Sequence, residues 1–322
     1  KNPEGKAWIS LSIKKANSSG LRSLNSTEED PGTANEADVF AVRAIFFGDG
    51  PGYSVVDDKD ITTNQSGNAG QPAGSPGEAF EIDATSKYIM IVINPPAGYT
   101  ADWTAVPGAN LAMVNAAVSG TAADLTASST GFMMTNAKGD LEPSVSATDP
   151  TLKALTLYTT KALAESSPLT INVDRVVAKT RLYTKNYSAP NAIVSDIFWV
   201  MNITNKMYYP MSKRVKTAED TPTPFDQYSL GSYREDPNYD HATLSISYPG
   251  ANYTANYNYY DNTSTISTSD WINPVDSLVP GEPQYCLENT QQAADNNYSF
   301  TTQMLVKAKY LPSTYLLADN TT

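Results

Sequence analysis

The chain has 322 residues, with 22 Lys+Arg against 34 Asp+Glu, a formal net charge of −12, one cysteine and one histidine. The scattered negative charge repels phosphate backbones and sets nucleic-acid binding aside, and no apolar run reaches the roughly 20 residues that a membrane helix needs. Cys286 alone rules out an internal disulfide and His241 alone rules out a histidine-cluster mechanism, while 17% charged residues with 20 Tyr, 21 Pro and 18 Gly give the profile of an extracellular, β-rich protein.

In chain order, the opening Lys1-Asn2-Pro3 reads as the start of a trimmed chain. Residues 8–14 alternate, with Ile9, Leu11 and Ile13 on one face and Ser10, Ser12 and Lys14 on the other, which predicts a strand. A polar loop from Lys15 to about Ala37 follows and carries Arg22; its Ser, Asn, Gly and Glu content predicts exposure and mobility. Residues 39–47 (VFAVRAIFF) predict a mostly buried strand ended by Gly48-Asp49-Gly50-Pro51-Gly52, and residues 57–79 read as a long loop. The continuous apolar run Tyr88–Ile93 predicts a strand covered on both faces and stopped by Pro95-Pro96. Residues 109–118 show helical spacing through Leu111, Val114 and Val118, and 131–136, 153–160 and 169–173 complete a first group of strands. After a break at Ser166-Ser167-Pro168, a second group comprises 173–183, 197–204, 243–248, 284–290 and 300–311, separated by Tyr-, Asn- and Pro-rich stretches. Short strands with long loops predict an all-β fold of two tandem β-sandwich domains, 1–172 and 173–322.

Little in this pattern carries catalytic chemistry. Asp57-Asp58-Lys59-Asp60 lacks the Asp-x-Asp-x-Asp-Gly spacing of a cation loop and reads as a solvated acidic loop. His241 has no activated serine motif to serve and reads as a surface residue at the start of a strand. Cys286 sits in an apolar-flanked strand, where a buried, inert thiol is the expectation. Tyr253, Tyr257, Tyr259 and Tyr260 read either as an aromatic platform for a sugar or as a wet protein–protein contact. No metal site, catalytic residue or cofactor is expected, and the chain is expected not to be an enzyme.

Five stretches, in order, carry a resemblance. "GFMMTNA" (131–137), "VDRVVAKTRLY" (173–183), "FWVMNITNKMYYPM" (198–211), "QYCLENT" (284–290) and "TQMLVKAKYLP" (302–312) resemble the major fimbrial subunits (fimbrillins) of the Bacteroidia, the family of the long and short fimbriae of Porphyromonas. The resemblance covers nearly the whole chain. It implies two tandem transthyretin-like β-sandwich domains, export as an outer-membrane lipoprotein precursor, and polymerisation into a cell-surface fimbrium that supports adhesion and biofilm formation. It also implies proteolytic maturation by an arginine-specific protease, and Arg22 in "SSGLRSLNS" is the residue that matches the cut. Residues 8–14, with Ile9, Leu11 and Ile13 facing the core, would then be a displaceable strand whose loss opens a groove for a strand from the next subunit.

The partners implied are other fimbrial subunits in a homopolymer, the maturation protease, and host or bacterial surface ligands. In the family the donor is a C-terminal segment beyond the stretch matched by "VKAKYLP", so missing chain is expected after Thr322 and the donor strand is not named. Two other functions compete. A fimbrial tip or accessory adhesin would bind host glycan or protein through the loops 207–239 and 249–262. An exported carbohydrate-active enzyme would need two carboxylates roughly 5–10 Å apart across a cleft.

Overall fold

The structure, a computed structural model, describes residues 5–15, 36, 38–49, 52–62, 77–97, 99, 102–127, 130–136, 153–184, 192–211, 213–214, 234–261, 265–274, 281–291 and 298–314. The expected loop between Lys15 and Ala37, Arg22 included, lies outside these residues except at Glu36. There, a buried carboxylate pairs with Arg175 at 3.5 Å, and Arg175 Nε donates to the Glu36 carbonyl at 2.9 Å. The fold is all-β, and the chain groups into two compact units: Lys1–Val177 with Met207–Pro237, and Ala178–Lys206 with Asn238–Thr322.

Among the described residues, the Lys1–Val177 part of the first unit contributes the strands β1 (Lys6–Ile9), β2 (Leu11–Lys15), β3 (Val42–Phe47), β4 (Val55–Asp60), β5 (Phe80–Asp83), β6 (Tyr88–Ile93), β7 (Val118–Ser119), β8 (Met134–Asn136), β9 (Lys153–Ala154) and β10 (Leu169–Arg175), and the Met207–Pro237 part adds short strands, of which Met207–Tyr208 pairs with β7. The larger sheet runs β2-β10-β8-β6-β3-β4, with β9 also on β6, while β1 and β5 form a second, two-stranded sheet. Both strands of the smaller sheet turn apolar side chains toward the larger one. Ile9 and Ile82 join Val42, Ala44, Phe46, Ile89, Ile91, Ile93, Ile171 and Val173 in one core. Because β3 and β6 are covered on both faces, Ile45, Phe47, Met90 and Val92 are buried as well, as the run YIMIVI predicted for β6.

Polar groups inside this unit are satisfied in place of missing ladder bonds. Asn136 Oδ1 accepts from Ile91 N at 2.7 Å and its Nδ2 donates to the Ile89 carbonyl at 3.0 Å, bridging β8 to β6 where their register ends. Asn94, at a positive φ of 50°, accepts from Phe40 N at 2.8 Å and donates to the Phe132 carbonyl at 3.0 Å. Its amide lies so close to Gly131 that a Cβ there would meet Nδ2 at 2.3 Å, and Gly131 also holds a φ of +76°. Both demands select glycine.

Three expectations are corrected. Asp57–Asp60 is not a solvated loop but the end of β4, paired antiparallel with β3. Asp58 is buried there in a bidentate ion pair, taking Arg43 Nε at 2.7 Å and Nη2 at 2.8 Å, and it also accepts from Trp103 N at 2.9 Å. Asp57 accepts the backbone N–H groups of Asp58 at 2.9 Å and Asp83 at 3.0 Å. The helix is shorter than its apolar spacing implied. Asn110 caps it by accepting from Met113 N at 3.1 Å, and it ends at Val114, before Asn115. The Asn115 side chain turns to Met211, accepting from its N–H at 2.7 Å and donating to its carbonyl at 3.0 Å. The run 173–183 is not one strand, since β10 ends at Arg175 and the next strand, Ala178–Thr180, pairs with Gln284–Cys286.

The second unit contains a long antiparallel ribbon, Ala192–Asn202 against Gln303–Pro312, with an irregularity between Ser195 and Phe198. Trp199 bridges from it to Ile272, and Lys307 Nζ lies 4.2 Å from the centre of the Trp271 ring. Beside it, Ile203, Ile246, Tyr253, Tyr257 and Phe300 form a compact core. His241 belongs to this core rather than to the surface: its ring stacks on Phe300 at 3.9 Å, and Nε2 is 3.0 Å from the Tyr257 hydroxyl. Cys286 is buried. Residues 243–248, expected as a strand, are turns. Asp240 captures Thr243 through its N–H at 2.9 Å and its hydroxyl at 2.7 Å, and Ser245 sits at a φ of 52°. Local side-chain bonds outcompete the strand that the alternation favours.

Replacing Asp58 with Ala strips a part-buried guanidinium of both its charge-assisted bonds. The first unit is expected to lose about 3 kcal/mol, read as a lowered urea midpoint in its unfolding transition.

Candidate functional site

No group of three metal-ligating side chains exists among the described residues. What stands out is the N-terminal segment. It is not one strand but two. β1 runs antiparallel to β5, with Ala7 opposite Ile82 and Ile9 opposite Phe80. β2 runs parallel to β10, with Leu11 opposite Leu169 and Ile13 opposite Ile171. The chain passes from one sheet to the other at Ser10.

This crossover explains why alternation survives a change of sheet. A strand that turns a sandwich corner keeps every second side chain pointing between the layers. Ile9 and Ile13 are therefore buried and Leu11 is fully buried, and together they supply three of the fourteen side chains of the core. The other face departs from expectation, because Ser10 and Ser12 are buried too. The Ser10 hydroxyl donates to the Gly77 carbonyl at 2.8 Å, its carbonyl accepts from Leu169 N at 2.8 Å, and Gly77 N donates to the Leu11 carbonyl at 2.8 Å. A hydroxyl at this corner is thus a structural requirement that the sequence pattern does not reveal.

Both strands lie at the rim of their sheets. Among the described residues β2 pairs with β10 alone, and β1 has β5 on one side and a single two-bond bridge from Trp8 to Tyr158 on the other. A rim strand can leave without cutting a ladder in two; a central strand cannot. Its departure would uncover one edge of β10 and one of β5, together with the core between them, and bare edges of this kind are templates for pairing with another chain. Retention is favoured by burial of three large side chains, each contributing about 1.5–3 kcal/mol. Arg22, the other residue singled out in the sequence, lies outside the described residues.

One charged pair borders the segment. Lys6 stands opposite Asp83, whose carboxylate is held below its ordinary range, chiefly by the Thr85 hydroxyl at 2.6 Å and also by the Thr85 N–H and the Lys6 charge.

The four tyrosines weighed as a sugar platform stay close together but divide by exposure, with the Tyr253 ring centre 5.0 Å from that of Tyr257 and 4.8 Å from that of Tyr259. Tyr253 and Tyr257 are buried core residues, and Tyr259 and Tyr260 are part-exposed. Sequence reading passed over two exposed rings in the same region, Tyr248 and Tyr298.

No protein-family model matches the chain, and no curated protein matches it. Among solved structures, it is similar to a candidate cell adhesion protein from Parabacteroides distasonis ATCC 8503, with 14% identity over 97% of this chain and 80% of that one and a TM-score of 0.46. A second candidate cell adhesion protein from the same organism matches at 11% identity over 95% of this chain and 75% of that one, with a TM-score of 0.45. A fimbrial assembly protein from that organism matches at 12% identity over 88% of this chain and 85% of that one, with a TM-score of 0.35.

Two outcomes are expected for this site. Leu11→Ala should destabilise the first unit by about 2–5 kcal/mol in urea unfolding, because it opens a cavity at a fully buried position. A carboxylate with a depressed folded pKa contributes stability that is complete above its unfolded value and is lost as pH falls through the lower folded one. Hydrogen-exchange protection of the β1 amides, corrected for intrinsic rates, should therefore decline below about pH 4, with Asp83→Asn removing that part of the decline.

Proposed function

We propose that the protein is a structural subunit of a cell-surface fimbrium and that its N-terminal segment is a placeholder removed before assembly. The observation that carries this reading is the rim position of β1 and β2, which together close the core of the first unit. Cleavage after Arg22 by an arginine-specific protease would free this segment. The vacated groove would then accept an extended strand of the next subunit by strand addition. The described cell adhesion and fimbrial assembly proteins of Parabacteroides point the same way. On this reading the subunit is exported as an outer-membrane lipoprotein precursor, forms a homopolymer with two transthyretin-like domains per subunit, and supports adhesion and biofilm formation.

The geometry of the groove limits what can fill it. An occupant must place apolar side chains at three alternating positions, as Ile9, Leu11 and Ile13 do, and must change sheets between the first two. Because β2 runs parallel to β10, a replacement entering antiparallel would form the slightly stronger ladder. The second unit adds support of another kind. Ile193 and Leu311, paired across its long ribbon, are both exposed, and Val306 and Tyr310 are exposed on the ribbon's other face; packing in a fibre would cover such apolar surface.

Arg22→Ala is expected to fold normally, since the surrounding sequence is polar and a substitution outside a packed core rarely costs more than about 0.5 kcal/mol. After treatment with an arginine-specific protease, wild-type protein should give a ladder on gels and fibres in electron micrographs, and Arg22→Ala should give neither. Equal polymerisation by the variant would show that β1 and β2 are permanent parts of the fold.

A further inference from the structure

The second unit holds a cleft that polymerisation through the N-terminal groove leaves unused. Its volume is about 180 Å³, and Asn202, Tyr248, Tyr253, Tyr259, Tyr260 and Tyr298 line it. Four of these rings are set by the fold. Tyr253 is buried and its hydroxyl donates to the Ser299 carbonyl. Tyr248 and Tyr259 meet it edge-on, with centroids at 4.9 and 4.8 Å. The Tyr248 hydroxyl donates to Asp261 at 2.6 Å, and Tyr260 to Asp270 at 3.1 Å. Tyr298 stands at the rim, 88% exposed, and Tyr248 is 43% exposed.

The chemistry of these walls selects a ligand class. Among the described residues no lysine or arginine lines the cleft, and two carboxylates lie against its hydroxyls, so phosphates, sulfates and acidic sugars are repelled. A purely apolar ligand would make no use of the two carboxylates at the border, each of which can accept more hydrogen bonds than the one tyrosine hydroxyl it takes. The space is well below the roughly 300–1,000 Å³ of sites for drug-sized molecules and suits a single small ring. A neutral ring that offers C–H faces to aromatic rings and hydroxyls to carboxylates meets all of these conditions. Tyrosine supplies that pairing from one side chain, an apolar ring with a polar tip.

We propose that this cleft binds one neutral pyranose ring of a glycan, with Tyr298 and Tyr248 as the stacking faces and Asp261 as hydroxyl acceptor. The site is shallow, so affinity for a free monosaccharide is weak, and a strong response comes only from many subunits engaging one surface.

The test is saturation-transfer NMR on the full chain carrying Arg22→Ala, so that assembly does not enter. The probes are glucose, galactose, mannose, fucose, N-acetylglucosamine and N-acetylgalactosamine, with N-acetylneuraminic acid as the anionic control. At least one neutral sugar should receive saturation at its ring protons and the acidic sugar should not. Binding should fall about tenfold in Tyr298→Ala, the loss of one stacking face. Tyr310→Ala, at an exposed tyrosine of the ribbon that does not line the cleft, should leave binding unchanged. The proposal is overturned if no neutral sugar binds, as expected were the cleft a protein contact, or if binding survives in both Tyr298→Ala and Tyr248→Ala.

Discussion

The bond from the Ser10 hydroxyl to the Gly77 carbonyl marks the constraint on which the first unit depends. Among the described residues, the segment around it is the only one that pairs by strand with both sheets. A corner of this kind has three requirements. The residue at the turn must be small, its polar groups must be satisfied away from water, and the residues on either side must still reach the core. Ser10 meets the first two through its own hydroxyl and through the bonds from its carbonyl to Leu169 and from the Leu11 carbonyl to Gly77. Ile9, Leu11 and Ile13 meet the third. The two layers are thus held together at a buried corner within one short segment, Lys6–Lys15.

How far this was legible in the sequence follows from which force set each element. Where burial decides, pattern reading works: alternation over 9–13 identified the inward side chains, and YIMIVI identified a strand covered on both faces. Where a polar side chain decides, it fails. Serine at position 10 reads as an outward-facing residue, and nothing local distinguishes it from one buried at a corner. The acidic run 57–60 reads as solvated because its neutralising partner, Arg43, sits on the preceding strand, and only the β3–β4 register brings the two together. The alternating stretch 243–248 reads as a strand until Asp240 is seen to cap it into turns.

The tyrosines show the same limit from the other side. A run of four aromatic residues between 253 and 260 draws attention as a platform, yet their rings pack on one another and differ in how much surface they leave exposed. Tyr253 and Tyr257 are consumed by the core beside His241 and Phe300. The faces left for a ligand include Tyr248 and Tyr298, which lie fifty residues apart and share no motif. Composition announced that aromatic surface would exist; only the packing said which rings compose it.

If β1 and β2 are a placeholder, the role of the cut can be stated energetically. Nothing in the segment is weak: three apolar side chains, each contributing about 1.5–3 kcal/mol on burial, and ladder bonds in two sheets hold it. While the loop is intact, the segment competes for its groove as an intramolecular partner, at an effective concentration of about millimolar. An incoming strand of equal intrinsic affinity loses that contest at any ordinary subunit concentration. Cleavage leaves every contact unchanged and removes only the tether, so that a segment which dissociates once is diluted away. A donor attached to its own folded subunit, once docked, keeps the contacts of that subunit as well. The direction of exchange then follows from connectivity rather than from a difference in strand quality, which is why the groove can be fully packed in the precursor and still be ready to assemble.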